Sequence, residues 1–586
     1  MRAARVGGRL AMSGALSLRK EAGWLHYCFV ARSRVRFGVP DYSCMSVLPL
    51  SRRTPWSIVA LGTLAFVVLA VRFSPNWFAF QRTVREATAE AVSPAHRAAI
   101  DRAVFSGHSE RGLHVIRQAR DLNAEIDNSV HKIVRWRLLV PAVAHVLRLP
   151  DWVTLGLAHL GSLVLAIVLV GIGLGRSPAT GAPRREAFCL ALIAGATAPF
   201  FTSMGWVGYY DSLLALALLG VAFARPRWVV IAACLAGPWI DERFVLGMPL
   251  ALGVRWILCD RRSPNVLAWC RQQALVPVAV VAGYAALRLS LGGSGGSQTI
   301  AGYLKEFVLG ETYPISHRLR GAWEGLRLGW VLVGVAVAAT WLASASTRRL
   351  PAWLLALGVV LTGVVGLVTA LDMSRSMVLL LPVVPLGWVF AVRTAWWQRY
   401  HAGPILAALA VVLPASQVVA RAALPVDALW SYSVPQMTAE NNLGLLYATA
   451  DGVPEDGVRA ARWLRRPAEE GVAIAQNNLA LLYAMGRGVK RDVAEAVRWF
   501  SLAADEGVAI SQENLGVLYA NGDGVPKDMI QAHRWLNLSR INGQGTAAEK
   551  LATIERGMSA QDIARATELA QQWLDVRRAK AAAKGH

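Results

Sequence analysis

"NNLALLYAMGRGVKRDVAEAVRWF", residues 477–500, decides how this chain is read. Leu479, Leu482 and Tyr483 stand at i, i+3 and i+4, the spacing of one buried stripe on a helix. Gly488 then marks a turn, where a positive φ is cheap only for glycine. Asp492 and Glu495 have the spacing of a capping box that opens a second helix, and Trp499 with Phe500 gives that helix its apolar face. A helix–turn–helix of this size cannot bury its own apolar face, so copies of it must stack.

The copies are present. "QMTAENNLGLLYATADGVPEDGVRAARWLRRPAEEG" fills 436–471, the quoted unit belongs to 472–507, and "VAISQENLGVLYANGDGVPKDMIQAHRWLNLSRING" fills 508–543. In phase with one another come Leu443, Leu479 and Leu515, then Tyr447, Tyr483 and Tyr519, then Trp463, Trp499 and Trp535. Small residues at 444, 480 and 516 let the second helix approach, Gly452, Gly488 and Gly524 serve the turn, and Asp528 repeats the cap of Asp492. These units resemble Sel-like repeats, relatives of the tetratricopeptide repeat, and "MSAQDIARATELAQQWLDVRRA" resembles their terminal capping helix. The resemblance implies a surface for a protein or peptide partner and no catalytic constellation. The first unit departs from the pattern: Ala450 replaces a turn glycine, Gly457 follows the cap, and Pro467 predicts a distorted or shortened second helix. The alternative role for three repeats is structural, to cap the domain that precedes them or to hold its segment 73–151.

Everything before residue 436 has a different composition. Apolar residues make up 55% of the chain and charged residues only 17%, and apolar stretches crowd the region 55–425. The net charge of +23 gathers in short clusters between those stretches, at Arg52-Arg53, Arg184-Arg185, Arg261-Arg262 and Arg348-Arg349. That placement is the positive-inside bias of a membrane protein rather than a footprint for nucleic acid. The six cysteines make no CxxC spacing, so neither a disulfide framework nor a zinc site is expected, and no metal ligands are assigned. His108 and His114 lie six apart, a poor spacing for two ligands on one helix face, and read as surface histidines. Residues 1–44 are basic and without periodicity, and Met45 begins an ordinary basic flank and anchor.

The fold expected is all-α, a polytopic transmembrane helical domain of about eleven spans followed by a short α-solenoid. The spans fall near 56–72, 152–174, 187–205, 208–224, 228–240, 244–259, 273–291, 328–345, 351–371, 377–392 and 403–421. Gly237-Pro238 in "GPWIDERF" divides 228–259 into two passes, which keeps the later Arg-rich loops on one side. An odd number of passes from a cytoplasmic start puts the loop 73–151, the repeats and the tail 544–586 in the periplasm of a bacterial inner membrane.

The same count collects Asp211, Asp241-Glu242-Arg243, Asp372 and Arg375 at outer helix ends, where ionisable groups are costly and tend to be paired or functional. The layout over 55–420, with a long outer loop ending in "NAEIDNSVHKIVRWRLLVPAVAHVLRLP", resembles the C superfamily of membrane glycosyltransferases. That resemblance implies a polyprenyl-phosphate sugar donor, with Asp127 as the acidic loop residue and Asp121 and Glu125 as rivals. It further implies catalytic roles for Asp241 and Glu242, phosphate binding by Arg243 and Arg375, and a divalent metal if the domain is a transferase. The family's paired acids are missing from "RFSPNWFAFQRTVRE". Each residue also has a structural reading: Asp241–Arg243 as a salt-bridged connection, Asp372 with Arg375 as a pair, Asp127 as a solvated carboxylate. Two functions therefore stand side by side, a lipid-linked sugar transferase carrying a protein-binding module, and a non-catalytic scaffold or transporter-like protein organising an envelope complex with membrane lipids around it.

Overall fold

The computed structural model describes residues 54–73, 77–105, 110–122, 137–176, 183–197, 200, 203, 209–259, 269–291, 315–343, 350–369, 373–413, 416–419, 422–425 and 434–583. Asp127, Glu125, Asp372, His108 and the whole of 1–53 lie outside the described residues. Among the described residues the regular structure is helical apart from one antiparallel ribbon, Ser416–Val419 against Ala422–Pro425.

Helix α1 (Thr54–Phe73) precedes three amphipathic helices, α2 (Trp77–Ala89), α3 (Pro94–Val104) and α4 (Glu110–Arg120). Ser93 caps α3 by accepting from the His96 amide, and Pro94 fills its first turn, as the sequence "SPAH" dictates. Next come α5 (Leu139–Val146), α6 (Asp151–Arg176), α7 (Pro183–Gly195), α8 (Asp211–Phe223), α9 (Arg227–Ile240) and α10 (Phe244–Cys259). The apolar body closes with α11 (Leu275–Leu291), α12 (Ile315–Leu326), α13 (Gly329–Ala343), α14 (Leu350–Thr369), α15 (Met373–Ser376), α16 (Val383–Ala391), α17 (Ala395–Arg399) and α18 (Ala402–Val412). One continuous core joins α1, α6, α7, α8, α10, α13 and α16.

Several expected spans are shorter or broken. The stretch 187–205 is interrupted: α7 ends at Gly195, the chain turns at Ala196-Thr197, and Phe200 and Ser203 are helical again. The stretch 377–392 opens as a 3-10 turn and bends by 58° before α16, where Pro382 and Pro385 deny backbone donors. The stretch 403–421 is helical only as far as Val412, and Ser416–Val419 within it belongs to the ribbon. Among the described residues two helices, Trp56–Phe73 and Asp151–Gly175, are long and apolar enough to cross a membrane, or four if each bent pair counts as one span. A helix such as α8, with 13 residues, reaches only about 20 Å against a hydrocarbon core of about 30 Å.

The division of 228–259 into two helices is present at the expected bounds, with α9 ending at Ile240 and α10 beginning at Phe244. Pro238 lies inside α9 near its end, where it forfeits only one helical bond. The chain turns at Asp241, extended at φ −159°, whose Oδ1 accepts from the Arg243 amide at 3.0 Å. His114, expected at the surface, is 3% exposed, because α4 packs closely on α5 and α6.

The solenoid consists of α19 (Val434–Thr449) with α20 (Gly457–Glu469), α21 (Ala473–Met485) with α22 (Val493–Asp505), and α23 (Ala509–Asn521) with α24 (Met529–Ile541). Two further helices, α25 (Thr546–Glu555) and α26 (Ala560–Ala583), cover the last unit. α20 is neither short nor distorted: at 13 residues it matches α22 and α24. Pro467 sits in its last turn and is buried, so the backbone there is already leaving the helix.

Candidate functional site

Each repeat closes its turn in the same way. The amides of Asp456, Asp492 and Asp528 donate to the carbonyls of Tyr447, Tyr483 and Tyr519, each at 3.0 Å. The aspartate side chains then accept from Arg459, Glu495 and Gln531 amides at 2.9 Å. The reciprocal half of the expected capping box is missing, because the tyrosine carbonyl already takes the cap amide; Glu495 turns instead to Arg498 and Gln531 to Arg534. Gly452, Gly488 and Gly524 adopt φ of 77°, 70° and 70° as expected. Leu443, Leu479 and Leu515 are fully buried, and Trp463, Trp499 and Trp535 are each 6% exposed.

The three tyrosines have different surroundings. Tyr483 and Tyr519 are partly exposed, whereas Tyr447 is fully buried beneath α2 and α3. Its hydroxyl donates to Glu90 at 2.8 Å and lies 3.3 Å from His96 Nε2. Beside it Thr83 donates to Glu440 at 2.9 Å, Glu440 is also held by Gln436 and Arg466, and Asn442 donates to the Ala103 carbonyl at 3.2 Å. Phe80, Val84, Ile100 and Phe105 join one core with Leu443, Tyr447 and the later repeats. The α2–α3 hairpin thus stands where a preceding repeat would stand. At its other side Arg97 and Arg120 both reach Asp101 and Asp151, the latter in the first turn of α6, at 2.5 to 3.1 Å. The hairpin ties the solenoid to the apolar body.

A second constellation lies at the ends of α8, α9 and α15. Arg375 grips Asp211 through Nε at 2.5 Å and Nη2 at 2.7 Å, and Arg243 reaches Asp211 at 2.6 Å and Asp241 at 2.8 Å. Arg137 bonds Glu242 at 2.7 and 3.0 Å and Asp241 at 3.0 Å. Arg375 also stacks on Tyr209, 4.0 Å from the ring centre. Asp241, Glu242, Arg243 and Arg375 are therefore brought together, with Asp211 as the hub. Arg137 was not among the sequence candidates, since "VRWR" looks like any basic flank. Among the described residues three guanidiniums face three carboxylates.

Burial pushes the Asp241 carboxyl upward, but Arg137 and Arg243 outweigh it and hold the acid below the usual carboxylate range. The same pairs hold Arg137 and Arg243 above the arginine range against their burial. A carboxylate so engaged is a weak base, better suited to positioning a cation than to accepting a proton. A divalent metal does not fit the described carboxylates: Asp211, Asp241 and Glu242 already hold guanidiniums, and no trio of His, Cys, Asp or Glu suits an ion among the described residues. Asp121 is exposed at the end of α4. Along α10 and α14 runs an apolar cleft of about 450 Å³, lined by Leu246, Pro249, Trp256, Leu354 and Leu361.

A comparison with curated protein sequences finds no match. Among solved structures the chain is similar to a Sel1 repeat protein from Oxalobacter formigenes, at 32% identity and a TM-score of 0.19, covering 20% of this chain and 47% of that one. The match thus spans about half the length of that relative. It is also similar to a protective antigen of uropathogenic Escherichia coli displaying an SLR fold, at 15% identity and a TM-score of 0.24, covering 85% of this chain and 94% of that one. The sequence profile of the Sel1 repeat matches residues 438–472, 473–508 and 509–543, so the C-terminal solenoid is a module of three Sel1 repeats, a protein-interaction fold within a longer helical chain.

Proposed function

We propose that this chain is a multi-pass protein of a bacterial inner membrane that holds its Sel1 module in the periplasm as the docking site of a protein partner. The observation that carries the reading is the α2–α3 hairpin. It occupies the first repeat and anchors it to α6, while Tyr483 and Tyr519 of the later repeats remain partly exposed. Membrane insertion is supported by the outward faces of α1 and α14, where Trp56, Val67, Val71, Trp353, Leu357 and Leu361 are 47% to 79% exposed. The test is a photo-reactive amino acid at Tyr483 or Tyr519 of the full chain in cells, with a one-sided reporter fused after residue 586. A covalent protein adduct and a periplasmic reporter signal are expected; neither an adduct nor a periplasmic signal leaves the reading without support.

A second reading, sugar transfer from a polyprenyl-phosphate donor, draws on one observation. The apolar cleft begins at Leu246, one helical turn beyond Arg243, so a lipid phosphate at the arginines and its chain along α10 fit one amphiphile. Arg243 and Arg375 are the phosphate-binding candidates, with Asp241, Glu242 and Asp127 as acids. Labelling by a photo-reactive polyprenyl phosphate, lost in Arg243→Ala, checks this; labelling unchanged by that substitution excludes it.

A further inference from the structure

The arginines before the three repeat tryptophans, Arg462, Arg498 and Arg534, stand in register. Each lies over the neighbouring indole, at 5.0, 4.2 and 4.5 Å from the ring centre. The first two have carboxylates. Arg462 pairs with Glu90, which comes from the hairpin rather than from the repeat, and Arg498 grips Glu495 at 2.6 and 2.9 Å. In the third repeat the place of Glu495 is taken by Gln531, which accepts a single bond from Arg534 Nη1 at 3.0 Å. Arg534 is only partly exposed, and its Nε is buried with no hydrogen-bond partner among the described residues. Burial lowers this guanidinium below the usual arginine range, although Asp505 and Tyr519 are near enough to favour its charge.

We propose that Arg534 is the docking point for a carboxylate of the protein partner, an acidic side chain or a chain terminus. The inference rests on the reading of the repeats as a partner surface and names the chemistry that surface takes. The molecule itself shows what the position accepts. At the first repeat it is filled by Glu90, an acid delivered by a different segment of chain, as a ligand's would be. At the second it is filled from within, by Glu495. At the third, among the described residues, neither occurs. A carboxylate arriving there meets a cation already stacked on Trp535 and already stripped of part of its water, which makes the charge-assisted bond stronger than at an exposed arginine.

The test uses the full chain in detergent and two fluorescein-labelled peptides read by anisotropy. One has Glu among Leu and Ala with an amidated end; the other has Gln for Glu and a free C-terminal carboxylate. Binding of the first identifies a side-chain acid, binding of the second a chain terminus. Arg534→Gln should weaken whichever binds by about tenfold or more, and Arg498→Gln should leave it unchanged. Gln531→Glu restores the pair seen in the second repeat, so it should keep the melting temperature or raise it while weakening binding equally. Binding of neither peptide to the unaltered chain, or binding untouched by both Arg534→Gln and Gln531→Glu, overturns the proposal. Photo-crosslinking separates the two levels: an adduct that persists undiminished in Gln531→Glu removes Arg534 and keeps the partner surface, whereas no adduct in the unaltered chain removes both.

Discussion

At the scale of single residues, the first repeat stores strain that its sisters avoid. Gly486 and Gly522 end their helices at φ of 69° and 81°, and Ala450 takes the same left-handed conformation at φ 60°. A Cβ there costs about 1 kcal/mol, so Ala450→Gly should stabilise the solenoid by roughly that amount, read as a raised melting midpoint of the full chain. Glu513 supplies a pH dependence. Burial pushes its carboxyl upward, but hydrogen bonds from Lys550 and Thr546 outweigh it and hold it below the usual glutamate range. A carboxyl lowered by folding contributes stability above its unfolded pKa of about 4.3 and loses it as pH falls through the folded value. Glu513→Gln should therefore melt earlier than the unaltered chain at pH 7, and the two should converge as pH falls through the lowered folded value.

At the scale of elements, the repeats stack because their turns admit no side chain. A Cβ on Gly488 would lie 1.8 Å from the Gly457 carbonyl carbon of the preceding repeat, and one on Gly457 would lie 2.6 Å from the Gly488 amide nitrogen. Gly457, which looked like an irregularity of the first unit, is the partner in that backbone contact. Gly471 has a φ of 87° but open space around it. Gly488→Ala should then cost about 3 kcal/mol or more, and Gly471→Ala only about 1 kcal/mol, a difference that denaturation of the two variants measures. The break between α9 and α10 follows the same logic of local competition. Gly237-Pro238 announces it, but the Asp241 side chain, bonding the Arg243 amide, decides the residue at which it happens.

At the scale of the whole molecule, two sets of charges hold parts of the chain that are far apart in sequence. Asp211 is 1% exposed and serves both Arg243 and Arg375. Asp211→Asn would remove the carboxylate that the buried Arg243 and Arg375 share and should cost about 3–5 kcal/mol, whereas Glu242→Gln, at a partly exposed rim position, should cost about 1 kcal/mol; melting of both variants in detergent checks the order. Asp241, Arg243 and Arg375 were grouped from the sequence as ionisable residues at the ends of apolar stretches, and they do meet. Arg137 was not, because nothing in its neighbours distinguishes a bonded arginine from a basic flank. The covering of Tyr447 by the α2–α3 hairpin was not legible either: the hairpin's apolar stripe marks it as a partner of something, and only the fold says of what.

The sequence by itself determined the solenoid. Its period of 36, its turn glycines and its caps act between residues close along the chain, where spacing alone dictates geometry. The tertiary structure decided the rest: where apolar stretches bend or stop, which of the three repeats is covered, and which charges neutralise one another. Those outcomes turn on burial and on partners more than a hundred residues away, as with Arg375 and Asp211 or Tyr447 and Glu90. No local pattern carries the energy of a contact that exists only once both sides are desolvated together.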